Sequence, residues 1–542
     1  MQKRRDDGKI IGIILSSKCI GETMAQIFGN INTGLVPIRG KPAIAHIIDR
    51  MKLVGISDIY VTVDHEKEKL VRAVNAIVGK SANVFFRETR EVDGKKYSAL
   101  EQIVSEVDFN SCLINVADSV VLYNADIIEH DVSVALISDN CDNFSAKVSV
   151  KVNKNGNVIG FEFTTKNKNI SVGAVYLTGI DRTKLLGSDF SLRSLAELCI
   201  KNYRIKVKKI DRWFCTNQIF KYYEAKKDLI DSRFFNTFQY NDLKGTITKK
   251  STDSKKLKRE ILWFLNLPKE LNCFTPKILD YSIDREVFVE MEYYGYAPLS
   301  EIFVYGDFSE KIWESILKRL MMVLDEFRKF RADIPRDSFR EIYYNKLIDR
   351  VKMLTDSNPF FMKVFSMDEI KINGKIYHNL NHFIEKILRS IGELYNKTDC
   401  TVIHGDYFFA NILYDLSNGI VRLVDPRGEW GEAVIYGDSK YDVAKLSHSI
   451  HGKYDFIVND MFELEYGNDF INFKILNLRE LNEGLTTMFD AMIMERYSLR
   501  QIRLIESLLF ISMVPLHADH PKRQIVQYAT GIRMLNEVFY GK

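Results

Sequence analysis

The stretch TVIHGDYFFANILYD, followed by GIVRLVDPRGEWG, carries the strongest chemical signal in the chain. One apolar run ends at His404-Gly405-Asp406, Asn411 stands five residues after Asp406, and a second apolar run delivers Asp425. Transfer of a phosphoryl group uses these side chains in this order. One carboxylate orients the attacking hydroxyl, while an amide oxygen and a second carboxylate hold the metal ion on the phosphates. Asp406 is therefore read as the base, and Asn411 and Asp425 as ligands of Mg2+. Turn and cap roles would suffice for an isolated His-Gly-Asp. The spacing and the two flanking strands argue against that plainer explanation here. His404 is expected to brace the loop through hydrogen bonds rather than to transfer a proton.

ATP, as the phosphoryl donor, needs an upstream cation on its phosphates and a carboxylate to fix that cation. In KGTITKKS, Lys249 shares a strand face with Ile247, which could cover the base, whereas Lys250 shares its face with Thr248. Lys249 is favoured over Lys250, against the plainer view that these lysines are a solvated face. Glu260 follows on the next helix as its partner. Met291-Glu292-Tyr293 resembles the hinge segment that meets adenine with backbone groups, though an ordinary buried strand accounts for it nearly as well. A G-x-G-x-x-G loop is absent from the sequence.

These residues resemble the choline kinase and aminoglycoside phosphotransferase superfamily, whose H-G-D-x-x-x-x-N and following I-D motifs match His404 to Asn411 and Val424-Asp425. The resemblance covers roughly residues 235–460. With DPRGEWG and then YGDSKYDVAKL, the fuller string looks like phosphotransferases found with capsule and surface-polysaccharide enzymes. The resemblance implies that Asp442, at a helix start, supports the catalytic loop. The acceptor pocket should lie after Asp425, and Trp430 and Tyr436 could line it or simply pack in the core.

The N-terminal half carries a second, weaker constellation. LVPIRGKPAIAHIIDRMKLVGISDIYVTV looks like the opening of the sugar-nucleotide and choline-phosphate nucleotidyltransferases, over about residues 9–228. That resemblance implies Lys41 as a phosphate contact and Asp118 as a metal-binding carboxylate, with CTP or UTP as the nucleotide. The departures matter. The expected glycine-rich loop is here Ser16 to Met24 with one glycine, Thr33-Gly34 replaces the usual Pro-Lys, and Cys215 stands where a second metal carboxylate belongs. A neutral thiol is a poor ligand for hard Mg2+. Both an active, divergent transferase and a domain that only binds ligand or organises an assembly stay open.

Elements that would position these groups follow from the patterning. IIGIILSS, AIAHIIDRMKLVG, DIYVTV, KEKLVRAVNAIV and NVFFR alternate strand and helix, which predicts a parallel sheet covered by helices. VSVKVNKNGNVIGFEF reads as a hairpin at Asn155-Gly156. From about residue 236, a β-rich segment precedes a mostly helical one, interrupted at 401–425 by two short strands. The predicted fold class is α/β: a Rossmann-like nucleotidyltransferase (GT-A-like) domain at 1–230 fused to a bilobal protein-kinase-like α+β domain at 231–542. The small lobe spans about 231–298 and the large lobe about 299–542.

At 542 residues, with 46% hydrophobic and 27% charged residues, the chain can build more than one core. Its 76 basic and 72 acidic residues leave a net charge of +4, which demands no nucleic-acid partner. The seven cysteines, an odd and scattered set without a C-x-x-C pair, suit a cytoplasmic protein. No membrane insertion is expected, because no stretch approaches about 18 apolar residues. The expected reaction is phosphorylation of a small sugar, polyol or amino alcohol for capsule or other surface polysaccharide. Alternatives are a bifunctional kinase and cytidylyltransferase making a CDP-alcohol or NDP-sugar, a kinase that modifies antibiotics, and a non-catalytic scaffold. Acceptor identity and oligomeric state are not legible.

Overall fold

The computed structural model describes residues 9–92, 95–128, 132–138, 147–164, 170–180, 204–228, 236–284, 286–477 and 482–541. The chain forms two compact units, Met1–Leu229 and Ile230–Lys542. The boundary expected near residue 230 lies among residues 229–235, outside the described residues.

The N-terminal unit is built on a nine-stranded mixed sheet. Four strands run parallel in the order Ser111–Val116, Ile10–Leu15, Asp58–Thr62 and Asn83–Arg87. The first two are apolar almost throughout because both faces are covered. Gly12 lets the helix Ala43–Leu53 sit close, since a Cβ there would lie 2.6 Å from Met51 Sδ. Beyond Ser111–Val116 the sheet turns antiparallel through Ile170–Thr178, so the fully parallel expectation holds for one half only. The antiparallel part includes the hairpin Lys147–Val152 and Val158–Thr164, turning where Asn153 Oδ1 accepts from the amides of Asn155 and Asn157 (both 3.0 Å).

In the C-terminal unit, a four-stranded antiparallel sheet comes first, ordered Asn236–Asn241, Thr246–Ser251, Phe288–Glu292 and Ile278–Ser282. Helix Ser254–Asn266 covers it, packing Leu257 and Ile261 against Val289, Met291, Ile247 and Ile278. Asp253 starts that helix by accepting from Lys256 N at 3.1 Å. Residues 293–296 then lead to Ala297–Pro298, which pairs with Ile412–Asp415.

The remainder is helical with more strands than expected. Cys400–Val402 pairs with Tyr436–Asp438, and Ile412–Asp415 with Ile420–Leu423, making three strands rather than two at 400–425. A further sheet joins Glu369–Ile372, Lys375–His378, Phe462–Tyr466 and Phe470–Ile475. Its first turn is Asn373-Gly374, with φ of 49° and 80°. Positive φ at both central residues is the geometry that Asn-Gly favours in a two-residue hairpin. Helix Ser439–Ile450 is buried along its whole length and packs on Leu499–Met513. No described helix is long and apolar enough to cross a membrane.

Candidate active site

Lys249 and Lys250 are separated by the pleat of their strand. Lys250 points outward to Glu286 (2.5 Å). Lys249 points inward, where its Nζ meets Glu260 Oε1 at 3.0 Å, Glu260 Oε2 at 2.7 Å and Asp425 Oδ1 at 2.6 Å. Burial works against the Lys249 ammonium, but the carboxylates of Asp425 and Glu260 outweigh it and hold its pKa above the ordinary value. The side chains of Lys249 and Glu260 are only 7% and 4% exposed, whereas that of Asp425 is 54% exposed and can face a ligand.

Asp425 is held in an uncommon backbone conformation, with φ of 55°. Outside glycine such a value marks local strain, which persists only where surrounding structure enforces it. Just downstream, the chain makes two contacts to the helix Ser254–Asn266. Gly428 approaches the main chain so closely that a Cβ would lie 2.4 Å from Arg259 O, and Glu429 forms an ion pair with Arg259.

The loop bearing Asp406 is fixed from helix Ser439–Ile450. Asp442 accepts from the amides of His404 (2.7 Å) and Gly405 (2.8 Å). Burial pushes its carboxyl up to about 7 while those two amides pull it down. Gly405 has φ of 75°, and a Cβ there would lie 2.7 Å from Arg427 Cβ. The His404 ring is buried and packs edge-on against Trp263, 5.6 Å between centroids. Burial lowers its pKa to about 4, so it is neutral at physiological pH. Packing against Trp263 holds the ring in place beside the loop.

Sequence reasoning passed over Lys445. Its Nζ lies 2.8 Å from Asp406 Oδ1. Burial alone would raise the Asp406 carboxyl, but Lys445 outweighs it and holds the group below the usual range. The spacing carried a usable signal, because Asp442 and Lys445, three residues apart, share one helix face.

Asn411 Nδ2 donates to Asp406 O (3.1 Å) and Oδ2 (3.2 Å), while Asn411 O accepts from Val424 N (3.1 Å), which sets the residue beside Asp425. Its Oδ1 has no hydrogen-bond partner among the described residues and is available to a cation. Among the described residues no group of three or more His, Cys, Asp or Glu is placed to hold a metal ion. Two hard oxygens, from Asn411 and Asp425, suit an Mg2+ ion that completes its shell with phosphate and water. Glu292 ends its strand with Oε2 accepting from Lys277 N (3.2 Å) and Tyr294 OH (2.8 Å), so its carboxylate braces the segment 293–296. Trp430 does not line a pocket: it is buried among Phe339, Tyr343 and Tyr441. Tyr436 is half-buried in its strand opposite Val402.

In the N-terminal unit the corresponding groups are engaged elsewhere. Lys41 pairs with Asp49 near the surface. The amide of Gly21, the single glycine of its loop, donates to Asn217 Oδ1 at 2.7 Å. Ser16 Oγ donates to Asn32 Oδ1 (2.6 Å), which also accepts from Gly34 N (2.9 Å). Asp118 sits in the turn between Ser111–Val116 and Ser119–Val121, its carbonyl accepting from Thr216 N at 2.7 Å. Burial raises its carboxyl and Lys18 opposes that shift. Cys215 lies across from Ser119 in the strand pair, next to Asp118.

No protein-family model matches the chain, and no curated protein matches it. Solved structures similar to it align over the N-terminal two-fifths. HddC from Yersinia pseudotuberculosis, complexed with GMP-PN, is 13% identical over 40% of this chain and 97% of its own, with a TM-score of 0.32. CTP:phosphocholine cytidylyltransferase (LicC) from Streptococcus pneumoniae is 16% identical over 41% of this chain and 99% of its own, with a TM-score of 0.31. A UDP-glucose pyrophosphorylase from Acinetobacter baumannii is 14% identical over 40% of this chain and 92% of its own, with a TM-score of 0.32.

Proposed function

We propose that the C-terminal unit is an ATP- and Mg2+-dependent kinase that phosphorylates a hydroxyl of a small sugar, polyol or amino alcohol. The observation that carries this reading is the meeting of Lys249, Glu260 and Asp425 beside the separately braced group of Asp406 and Asn411. Phosphoryl transfer is mostly positioning and charge compensation, and these groups supply both. Lys249, kept charged, neutralises the nucleotide phosphates. Mg2+, held by Asn411 and Asp425, would offset the charge that develops on the transferred group. Asp406, kept ionised by Lys445, orients the acceptor hydroxyl and takes its proton. The N-terminal unit is read as a divergent nucleotidyltransferase-like partner, and the product as a precursor for capsule or other surface polysaccharide.

The test is ADP release from Mg-ATP across a panel of sugars, polyols and amino alcohols. Acceptor-dependent release that vanishes in Asp406→Asn, with nucleotide binding intact, supports the reading. Binding of Mg-ATP that is unaffected by Asp425→Ala refutes the assignment of the metal ligands.

A further inference from the structure

Four basic side chains from three segments gather near Asp406, whose charge acts on Lys346 and Arg350, while Arg427 acts on both of those. Lys445 is in contact with Asp406. Arg427, two residues after Asp425, is placed by its amide, which donates to His404 O (2.9 Å), and by its Nη1, which donates to Tyr441 OH (2.9 Å). Lys346 and Arg350 lie four residues apart on one face of helix Lys346–Ser357. Arg350 Nη1 donates to Ser512 O (3.0 Å), whereas the ammonium of half-buried Lys346 has no hydrogen bond or ion pair among the described residues.

The charge balance around Lys346 is one-sided. Burial, then Arg427, Arg350 and Lys445, all disfavour its ammonium, and Asp406 alone opposes them, so its pKa falls to about 5. Like charges gathered at a partly desolvated place cost stability, and such a cost is characteristic of ligand sites. The backbone supports this placement. Lys346 follows a π-turn, Glu341–Asn345, a feature concentrated at functional sites. Tyr343 within that turn donates to Asp438 Oδ2 (2.9 Å), which ties it to the residue preceding the helix of Asp442 and Lys445.

The nucleotide's lysine comes from strand Thr246–Ser251, whereas Lys346 and Arg350 come from a helix of the large lobe. We propose that this cluster seats an anionic group, phosphate or carboxylate, carried by the acceptor whose hydroxyl Asp406 orients. This inference rests on the kinase reading and narrows it to phosphorylated or acidic sugars and polyols, and it disfavours quaternary amines. In the reaction, the acceptor oxygen bonds to the γ-phosphorus as the bond from that phosphorus to ADP breaks, and the hydroxyl proton passes to Asp406. The anionic group anchors the acceptor and is chemically unchanged.

The experiment titrates inorganic phosphate into the full chain saturated with Mg2+ and a non-hydrolysable ATP analogue. Binding is expected to persist with the nucleotide site filled and to weaken at least tenfold in Lys346→Met. Loss of phosphate binding when the analogue is added would mean that the cations hold the nucleotide itself, and would overturn the proposal. Undiminished affinity in a folded Lys346→Met would overturn it too. The wild-type competition decides even where that variant does not fold. In a parallel ADP-release assay, faster turnover of glucose or choline than of glucose 6-phosphate and glycerol 3-phosphate counts against it. Failure of the analogue to bind, with phosphate still held through Lys346, removes the kinase reading and leaves the anion site standing.

Discussion

Two carboxylates stand after strands in the two units, and their surroundings differ. Asp425 faces a buried lysine, which a buried glutamate also grips, and its neighbours Gly428 and Glu429 are docked on a helix. Asp118 occupies a tight turn with a thiol rather than a second carboxylate beside it, and Lys18 is the cation that acts on it. The loop near the first contains fixed charges; the amides and hydroxyls near the second satisfy one another. A preorganised set of opposed charges costs folding energy and is useful when a charged ligand arrives. A self-satisfied polar loop has little left to offer a triphosphate.

The sharpest way to break this comparison is at Asp406. Asp406→Asn removes the base and leaves Lys249, Asp425 and Asn411 in place. Turnover is expected to fall by about 10²–10⁴-fold, with Mg-ATP binding retained. Steady-state rates together with calorimetric nucleotide binding check it. Next in size is Asp425→Ala, which should abolish Mg2+-dependent nucleotide binding, because it deletes the anionic metal ligand and one of the two carboxylates on Lys249.

A smaller effect with a pH signature is expected at Lys445. With the ammonium present, Asp406 stays ionised well into the acid range. Lys445→Met removes the strongest of the groups that oppose burial, so the Asp406 pKa rises. The base is then lost on acidification through a higher pH, and the acid limb of the kcat/KM profile moves toward neutrality. Identical acid limbs in the two proteins would show that Lys445 does not tune Asp406.

Asp442→Asn tests the brace. It replaces one of two acceptor oxygens with a donor facing a main-chain amide and should cost about 1–3 kcal/mol. The folded pKa of Asp442, about 7, lies above an unfolded value near ~4. Its contribution to stability is therefore complete below ~4 and lost as pH rises through 7. Asp442→Asn should flatten that part of the stability curve, as measured by denaturant melts between pH 5 and 8.

Much of this arrangement was legible because strand and helix periods place residues on faces. The pleat alone separates Lys249 from Lys250, and the alternation of strand and helix anticipates the four parallel strands. Among interactions between residues distant in sequence, the Asp442 brace was implied by the resemblance, whereas the contacts of Lys445 and Lys346 were not legible. Asp406 meets Lys445 through a helix that starts some thirty residues later, and Lys346 depends on a π-turn that no residue pattern announces. The hairpin at Asn373-Gly374 was visible in principle, through the turn chemistry of Asn-Gly within a segment read as helical. Trp430 shows the reverse case, an aromatic residue in a suggestive place that turns out to pack against other aromatics.

The smallest expected effect is in the N-terminal unit, and it tests the comparison from the other side. If charges committed elsewhere mean weak chemistry, the full chain supplied with CTP or UTP and a panel of phosphorylated alcohols and sugars should release pyrophosphate far more slowly than it releases ADP as a kinase. Asp118→Ala should then leave both rates unchanged. The physical basis is cumulative: Gly21's amide is held by Asn217, Lys41 by Asp49, and a thiol at Cys215 stands by Asp118. Each commitment removes part of the electrostatic stabilisation that a pentavalent phosphate needs. Rapid pyrophosphate release that disappears in Asp118→Ala would show instead that these contacts open when nucleotide binds, and that both units of the chain are catalytic.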